Sequence, residues 1–454
     1  MIPFKPLTKP LLLVLLTIAS AASTALSIGV NYGTLADNLP PPPQVAAFLK
    51  QRTYIDRVKL FSPDPALLRA FAGTGIAVTV TAANGDIPAL ARSPSAASAW
   101  VSANLIPFVP ATNITRVAVG NEILATGDRV LISLLLRSMR SLSAAISAAG
   151  LHIQVSTPHS LGILSVSEPP SSGRFRRGYD RAIIGPILDY HRKTKTPFLI
   201  NPYPYFGFAP KTLNYALFKP NPGVFDAVTG INYTNMFDAQ MDAVYTAMKR
   251  LGYGDVDIVV AETGWPSAGD PDQTAVNVEN AMSYNGNLIR HVSSGRGTPL
   301  MPNRRFETYV FSLFNENLKP STSERNFGLF KPDLTPVYDV GVLREASGGG
   351  PTPTTTPTPT PAPKGGKKWC VARGDASAGD LQSNIDYACA HGADCKSIQS
   401  GGACYQPDTL LSHASYAMNS YYQISGRNDF DCDFAKTGLI TTVDPSTRFC
   451  LGRK

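Results

Sequence analysis

A run of proline and threonine near residue 350 constrains this chain most. Residues 347–368 read Ser-Gly-Gly-Gly-Pro-Thr-Pro-Thr-Thr-Thr-Pro-Thr-Pro-Thr-Pro-Ala-Pro-Lys-Gly-Gly-Lys-Lys. No apolar core can be built from such a stretch, and alternating Pro and Thr favour an extended polyproline-type spacer, open to O-glycosylation, between flexible glycines. The thirteen residues Pro351 to Pro363 span about 40 Å at roughly 3.1 Å per residue. The cysteines divide at the same place: residues 1–369 have none, and Cys370, Cys389, Cys395, Cys404, Cys432 and Cys450 all follow. A 454-residue chain exceeds what one hydrophobic core usually supports. The expected organisation is a leader at 1–27, a large cysteine-free unit at 28–346, a linker at 347–368 and a small module at 369–454.

Lys5 and Lys9 precede the apolar run Leu11-Leu-Leu-Val-Leu-Leu-Thr-Ile-Ala19, and small residues continue to Ser27. This is the pattern of a secretory signal peptide, too short to span a bilayer, with cleavage expected after Ala25 or Ser27. The rival is an uncleaved anchor. No second hydrophobic segment is expected, and the polar end Phe449-Cys-Leu-Gly-Arg-Lys454 does not resemble a lipid-anchor signal. An even cysteine set in the tail of a secretory chain predicts a disulfide scaffold. A zinc site is the weaker reading, because no C-x-x-C pair occurs. Asn113-Ile-Thr115 and Asn232-Tyr-Thr234 are sequons that can accept glycans in that compartment. The net charge of +8 comes from scattered basic residues, which argues against nucleic acid as a partner.

Before the linker, β-branched runs alternate with helical spacing. Candidate strands are Ser27–Asn31, Arg57–Phe61, Ala77–Thr81, Arg116–Val119, Ile153–Thr157, Phe198–Asn201, Val256–Ala261 and Thr308–Phe314. Long segments such as Val130–Ala149 and Asp238–Leu251 have helical period. Eight strands, each followed by a helix or long connection, predict an α/β fold of the (β/α)8 TIM-barrel type. A doubly wound open sheet is the rival, but Asn31-Tyr32-Gly33-Thr34 carries no dinucleotide fingerprint.

In a parallel barrel, chemistry gathers at the C-terminal ends of strands. Arg116-Val-Ala-Val-Gly-Asn-Glu122 and Asp257-Ile-Val-Val-Ala-Glu262-Thr-Gly-Trp-Pro266 each deliver a glutamate there. Two carboxylates converging from different strands suit glycoside hydrolysis, one protonated to donate to the leaving oxygen and one ionised to attack the anomeric carbon. From spacing alone this is balanced against two ordinary salt-bridged glutamates at helix N-termini. His152, His159, His191, His291, His391 and His413 show no metal-ligand spacing, and no G-x-S-x-G elbow stands out. No metal and no cofactor are expected.

Ile28-Gly-Val-Asn-Tyr-Gly33, Val58-Lys-Leu-Phe61, Val119-Gly-Asn-Glu122, Ile200-Asn-Pro-Tyr-Pro-Tyr-Phe206, Ala261-Glu-Thr-Gly-Trp-Pro-Ser267, Phe314-Asn-Glu-Asn-Leu-Lys319 and Glu324-Arg-Asn-Phe-Gly-Leu-Phe330 resemble plant glycoside hydrolase family 17, the β-1,3-glucanases. The resemblance covers nearly all of 28–346. It implies a (β/α)8 barrel, a retaining mechanism, Glu122 as acid/base and Glu262 as nucleophile. Asn121 is then expected to hydrogen-bond the sugar 2-hydroxyl. Glu316, Lys319 and Glu324 match the charged cluster beside the family's catalytic pair, with Lys319 able to hold a carboxylate ionised; a surface ion-pair cluster is the alternative. Tyr32, Tyr203 and Phe206 are candidates for stacking on glucose rings, with rim packing as the rival.

Trp369-Cys-Val-Ala372, Leu381-Gln-Ser-Asn-Ile-Asp-Tyr-Ala-Cys389, Gly392-Ala-Asp-Cys395 and His413-Ala-Ser-Tyr-Ala-Met-Asn-Ser-Tyr-Tyr-Gln423 resemble carbohydrate-binding module family 43, the X8 type, over roughly 369–450. Ser400 departs from the usual proline. The resemblance implies β-1,3-glucan binding, a mostly helical module and the pairs Cys370–Cys432, Cys389–Cys395 and Cys404–Cys450. Tyr405, Tyr416, Tyr421, Tyr422 and Phe434 are stacking candidates, though a domain this small needs most of them as core. The expected protein is a monomeric extracellular endo-hydrolase of β-1,3-glucan in the cell wall or apoplast, without a membrane anchor. Two other readings stay open: mixed-linkage hydrolysis or transglycosylation on the same chemistry, and a glucan-binding protein with an idle barrel. Defence, wall remodelling and callose turnover are equally compatible with this reading.

Overall fold

The computed structural model describes residues 27–344, 368–425, 427, 429–442 and 445. The expected leader, nearly all of the Pro/Thr stretch and Cys450 lie outside the described residues.

Nine strands form one parallel sheet: β1 Ile28–Tyr32, β2 Ile55–Leu60, β3 Ala77–Ala82, β4 Ile114–Val119, β5 Gln154–Ser156, β6 Pro158–Ser160, β7 Phe198–Asn201, β8 Ile258–Thr263 and β9 Thr308–Val310. β5 and β6 are halves of one run interrupted at Thr157. β5 pairs with β4 and β6 with β7, so the sheet closes into an eight-staved barrel. The expected strands are all present, Phe198–Asn201 with both ends as expected and the others with ends shifted by at most four residues. The largest shift is at Thr308, where pairing stops at Val310 rather than Phe314.

Strand residues alternate between two apolar layers, as the pleat requires. Ile28, Val30, Val58, Leu60, Val78, Val80, Phe198, Ile200 and Val260 join the large core under the helices. Leu199, Val259, Ala261 and Tyr309 form a separate small cluster inside the barrel. Below the mouth the interior is polar. Arg116 makes a two-pronged pair with Glu307 at 2.7 and 3.1 Å, and Tyr309 donates to Glu307 at 2.8 Å.

The helices are cut by local chemistry. Asp128 caps Arg129–Ala148 by accepting from the backbone of Val130 and Leu131, and Asn235 and Asn277 cap Met236–Arg250 and Val278–Ser293. Arg129–Ala148 corrects one expectation, since it is long and apolar enough by composition to cross a membrane. Its apolar residues Ile132, Leu135, Met139, Leu142 and Ile146 recur every three or four positions and are buried on the barrel. That is the pattern of a core-facing helix.

The C-terminal module packs helices Ala378–Ala390 and Leu410–Ile424 against the antiparallel pair Trp369–Ala372 and Gly438–Thr441. Disulfides join Cys370 to Cys432 and Cys389 to Cys395. Cys404 is buried, and Cys450, its expected partner, lies outside the described residues. Tyr421, Tyr422 and Phe434 are buried, which removes them as open stacking surfaces, while Tyr405 and Tyr416 stay half-exposed. The module touches the barrel: Tyr387 donates to the Phe218 carbonyl at 2.6 Å and Asp431 pairs with Arg290 at 3.0 Å.

Candidate active site

The two glutamates reach the barrel mouth by different local devices. Glu122 lies three residues past β4, after Gly120 at φ 65° and itself at φ 52°. A Cβ on Gly120 would come within 2.7 Å of Ile123, so glycine is required for this tight exit. The Glu122 N–H donates to the Pro158 carbonyl at 3.0 Å, which ties the turn to β6.

Glu262 remains inside its strand. Val259 and Ala261 face the barrel interior, and the Thr263 hydroxyl meets Tyr284 on the outer helix Val278–Ser293. Strict alternation would therefore turn Glu262 outward. The ladder with β9 shifts register between Val260 and Thr263, and this irregularity re-aims the carboxylate into the mouth.

There Glu262 is buried, with 6% of its surface exposed. Lys59 Nζ, itself fully buried, lies 2.7 Å from Oε1, and the Tyr203 hydroxyl donates to Oε2 at 3.2 Å. Asn201 donates to Glu122 Oε1 at 2.9 Å. Burial raises the proton affinity of Glu122 above the ordinary carboxyl range, and the nearby Glu262 charge adds to that. The Asn201 bond and the Lys59 charge oppose the shift without reversing it. The Tyr203 phenol is pushed well up by burial and by the charges of Glu262 and Glu122, so it stays a donor.

Other expected site residues divide. Asn121 lies between the two halves of the site: its backbone N–H donates to Asn84 at 2.8 Å and its Oδ1 is 3.4 Å from Lys59 Nζ. Tyr32 is corrected. It is 2% exposed and packs edge-on against Phe71 and Phe314, because on β1 it has the parity of Val30 while Asn31 faces inward. A ring so placed cannot stack on a sugar. Tyr203 points its hydroxyl at Glu262, so its contribution is polar. Phe206 is 67% exposed, beside Tyr203 and Tyr205 at 5.3 and 4.9 Å between ring centres. It is the open aromatic face of the rim.

Lys319 holds Glu316, at 3.0 Å, and lies over the Phe311 ring. The cation on the buried Glu262 carboxylate is Lys59 instead. Glu316 also accepts from the Leu35 backbone at 2.8 Å, and a Cβ on Gly33 would fall 2.4 Å from its Oε1. Glu316 thus clamps the loop after β1. Glu324 sits in the turn Glu324–Asn326, where its charge acts on Tyr203 and Tyr205. Lys59 and Asn201 were within reach of a sequence reading, since both lie in runs with the inward parity of their strands. A polar residue in an apolar strand was the available signal. Trp265, fully buried, supports the rim from below by packing on Tyr205 and Phe208 and donating to the Ala275 carbonyl at 3.0 Å.

Among the described residues no group of three His, Cys, Asp or Glu side chains is arranged to hold a metal. The sequon asparagines Asn113 and Asn232 are both exposed.

Residues 28–342 match Glycosyl hydrolases family 17, and residues 368–439 match the X8 domain. A wheat (Triticum aestivum) glucan endo-1,3-beta-glucosidase is 55% identical over 97% of this chain and 99% of its own length. Glucan endo-1,3-beta-glucosidase 7 of Arabidopsis thaliana is 48% identical over 93% of this chain and 84% of its own. Among solved structures, a β-1,3-glucanase and allergen of Cryptomeria japonica pollen superposes with a TM-score of 0.66 at 43% identity. The match covers 69% of this chain and 98% of that one.

Proposed function

The chain belongs to Glycosyl hydrolases family 17, and on that footing we propose that it is a secreted, retaining endo-hydrolase of β-1,3-glucan. In the first step the Glu262 carboxylate attacks the anomeric carbon. The carbon–oxygen bond to the leaving sugar breaks, its electron pair goes to the leaving oxygen, and that oxygen takes the Glu122 proton. In the second step water attacks the glycosyl ester and gives its proton to Glu122. The ester carbon–oxygen bond breaks and the electron pair returns to Glu262. Two displacements restore the original β configuration.

The observation that carries this reading is the opposite treatment of the two carboxyls. Glu122 is driven toward the protonated form by burial, while Glu262 has a lysine on one oxygen and a tyrosine hydroxyl on the other. Two salt-bridged glutamates at helix N-termini would both be paired with cations. Phe206 supplies an apolar face for a glucose ring at the rim.

The leader at 1–27 and the disulfide-rich tail support secretion to the cell wall. The X8 domain supports retention on insoluble β-1,3-glucan, which raises the local concentration of the barrel on its substrate. The exposed Asn113 and Asn232 would carry glycans. We take the mature enzyme, from about residue 28, as a monomer.

The test is reducing-sugar release from a linear β-1,3-glucan, with the anomer of the first product followed by NMR. The β-anomer should appear first, and Glu262→Gln should lose at least about 1,000-fold in kcat. Full activity in Glu262→Gln, or an initial α-anomer, overturns the assignment. Parallel digestion of a mixed-linkage β-1,3-1,4-glucan, with products sized for transfer, separates this activity from its close alternatives.

A further inference from the structure

We infer that Lys59 is a positioning residue for both displacements, its fixed charge partnering whichever of the two glutamates carries the negative charge. The inference rests on the catalytic reading of Glu122 and Glu262.

Lys59 stands on β2 between Val58 and Leu60, which both face the helix layer, so the pleat sends its side chain into the barrel. It is fully buried, and a lysine in that position carries a heavy desolvation cost unless paired. Its partners all belong to the mouth: Glu262 Oε1 at 2.7 Å, Asn121 Oδ1 at 3.4 Å and the Phe61 ring with its centre at 4.1 Å. The titratable groups facing it are Glu262 from β8, Glu122 from the turn after β4 and Tyr203 from the turn after β7, with Glu324 acting on Tyr203 from behind. Lys319 is engaged with Glu316 over Phe311, a ring whose edge meets Phe61.

The charge count explains why a buried cation suits this reaction. In the free enzyme the negative charge sits on Glu262 and the proton on Glu122, so Lys59 balances the nucleophile. Once the glycosyl ester has formed, Glu262 is neutral and Glu122, having given its proton to the leaving oxygen, carries the charge. The sum over Lys59, Glu122 and Glu262 is zero in both states. Glu262 no longer raises Glu122, and Lys59 still lowers it, so Glu122 is poised to accept a proton from water. The same lysine that pairs with the nucleophile thus helps convert the acid into a base.

The test compares Lys59→Met and Lys59→Arg in the full-length enzyme. Removing the charge raises the proton affinity of Glu122. The alkaline limb, where Glu122 must be protonated, then moves to higher pH. The expected result for Lys59→Met is a kcat about 100-fold lower on β-1,3-glucan and an alkaline limb of the pH–rate profile displaced upward by about one unit. KM should change little. On a dinitrophenyl β-glycoside of a β-1,3-linked glucotriose, whose leaving group needs no proton, Lys59→Met should show a burst followed by slow turnover at mildly acidic pH. Lys59→Arg should keep the profile in place. An undisplaced profile in Lys59→Met, with only a lowered melting temperature, overturns the inference and leaves Lys59 as packing.

Glu262→Gly with added azide is the control. Formation of the α-glycosyl azide from the aryl glycoside supports the catalytic pair independently of Lys59. Undiminished glucan hydrolysis by Glu262→Gly would remove the pair, and the Lys59 inference with it.

Discussion

Asn201, the last residue of β7, donates a 2.9 Å hydrogen bond to Glu122 across the intervening β6. The donor favours the ionised carboxylate and so opposes the effect of burial. Glu122 therefore holds its proton less tightly than burial alone would dictate.

Asn201→Ala should therefore raise the proton affinity of Glu122. The alkaline limb of kcat/KM, set by loss of the Glu122 proton, moves to higher pH. At neutral pH kcat falls about tenfold, because the carboxylate that must form in the first step loses a donor. A pH series on a soluble β-1,3-glucan checks both, and a profile shifted downward contradicts the argument.

Phe206→Ala tests the rim. With 67% of the residue exposed, little core packing is lost and the melting temperature should stay within about a degree. If the ring stacks on a glucose unit, KM rises roughly 5-fold to 10-fold with kcat nearly unchanged. Tyr32→Phe, by contrast, should leave KM unaltered, because that ring is enclosed by Phe71 and Phe314.

The Arg116–Glu307 pair predicts an acid limit to stability. Burial alone would raise Glu307, but the hydrogen bonds and charge of Arg116 outweigh it and hold the carboxyl below its usual range. A depressed carboxyl contributes stability above its unfolded pKa of about 4.3 and loses it as pH falls through the lower folded value. Glu307→Gln should cost about 2–3 kcal/mol at pH 7, less than a wholly enclosed pair because 30% of the Glu307 side chain is exposed. The difference from wild type should shrink as pH drops from about 5 toward 3. Thermal melts across that range measure it, and a pH-independent difference would mean the loss is packing alone.

Cys370–Cys432 closes a loop with a sequence separation of 62. The chain-entropy relation gives about 4 kcal/mol for its removal. The double change to serine should abolish retention on insoluble β-1,3-glucan while hydrolysis of short soluble oligosaccharides persists. A pull-down with the insoluble polymer, beside a soluble assay, separates the two. Unchanged retention would place glucan binding outside the module.

Much of this protein was legible along the chain because the information is local. Apolar β-branched runs alternating with helical period determined an α/β barrel. The Pro/Thr stretch and the position of the cysteines determined where the barrel gives way to a small module. The runs ending in Glu122 and Glu262 marked two carboxyls that the fold brings together at the barrel mouth. Which way each neighbour points was decided only in the folded barrel. Tyr32 and Asn31 are adjacent, yet parity sends one under the helices and the other into the mouth. Glu262 would face outward but for a register shift that its strand makes only against β9. Lys59 lies 203 positions from Glu262 and Lys319 only 57, yet the nearer lysine in sequence holds Glu316. Closure of the barrel sets those distances, because a side chain's electrostatic partner depends on stave order and pleat, and neither is written in the spacing of a single strand.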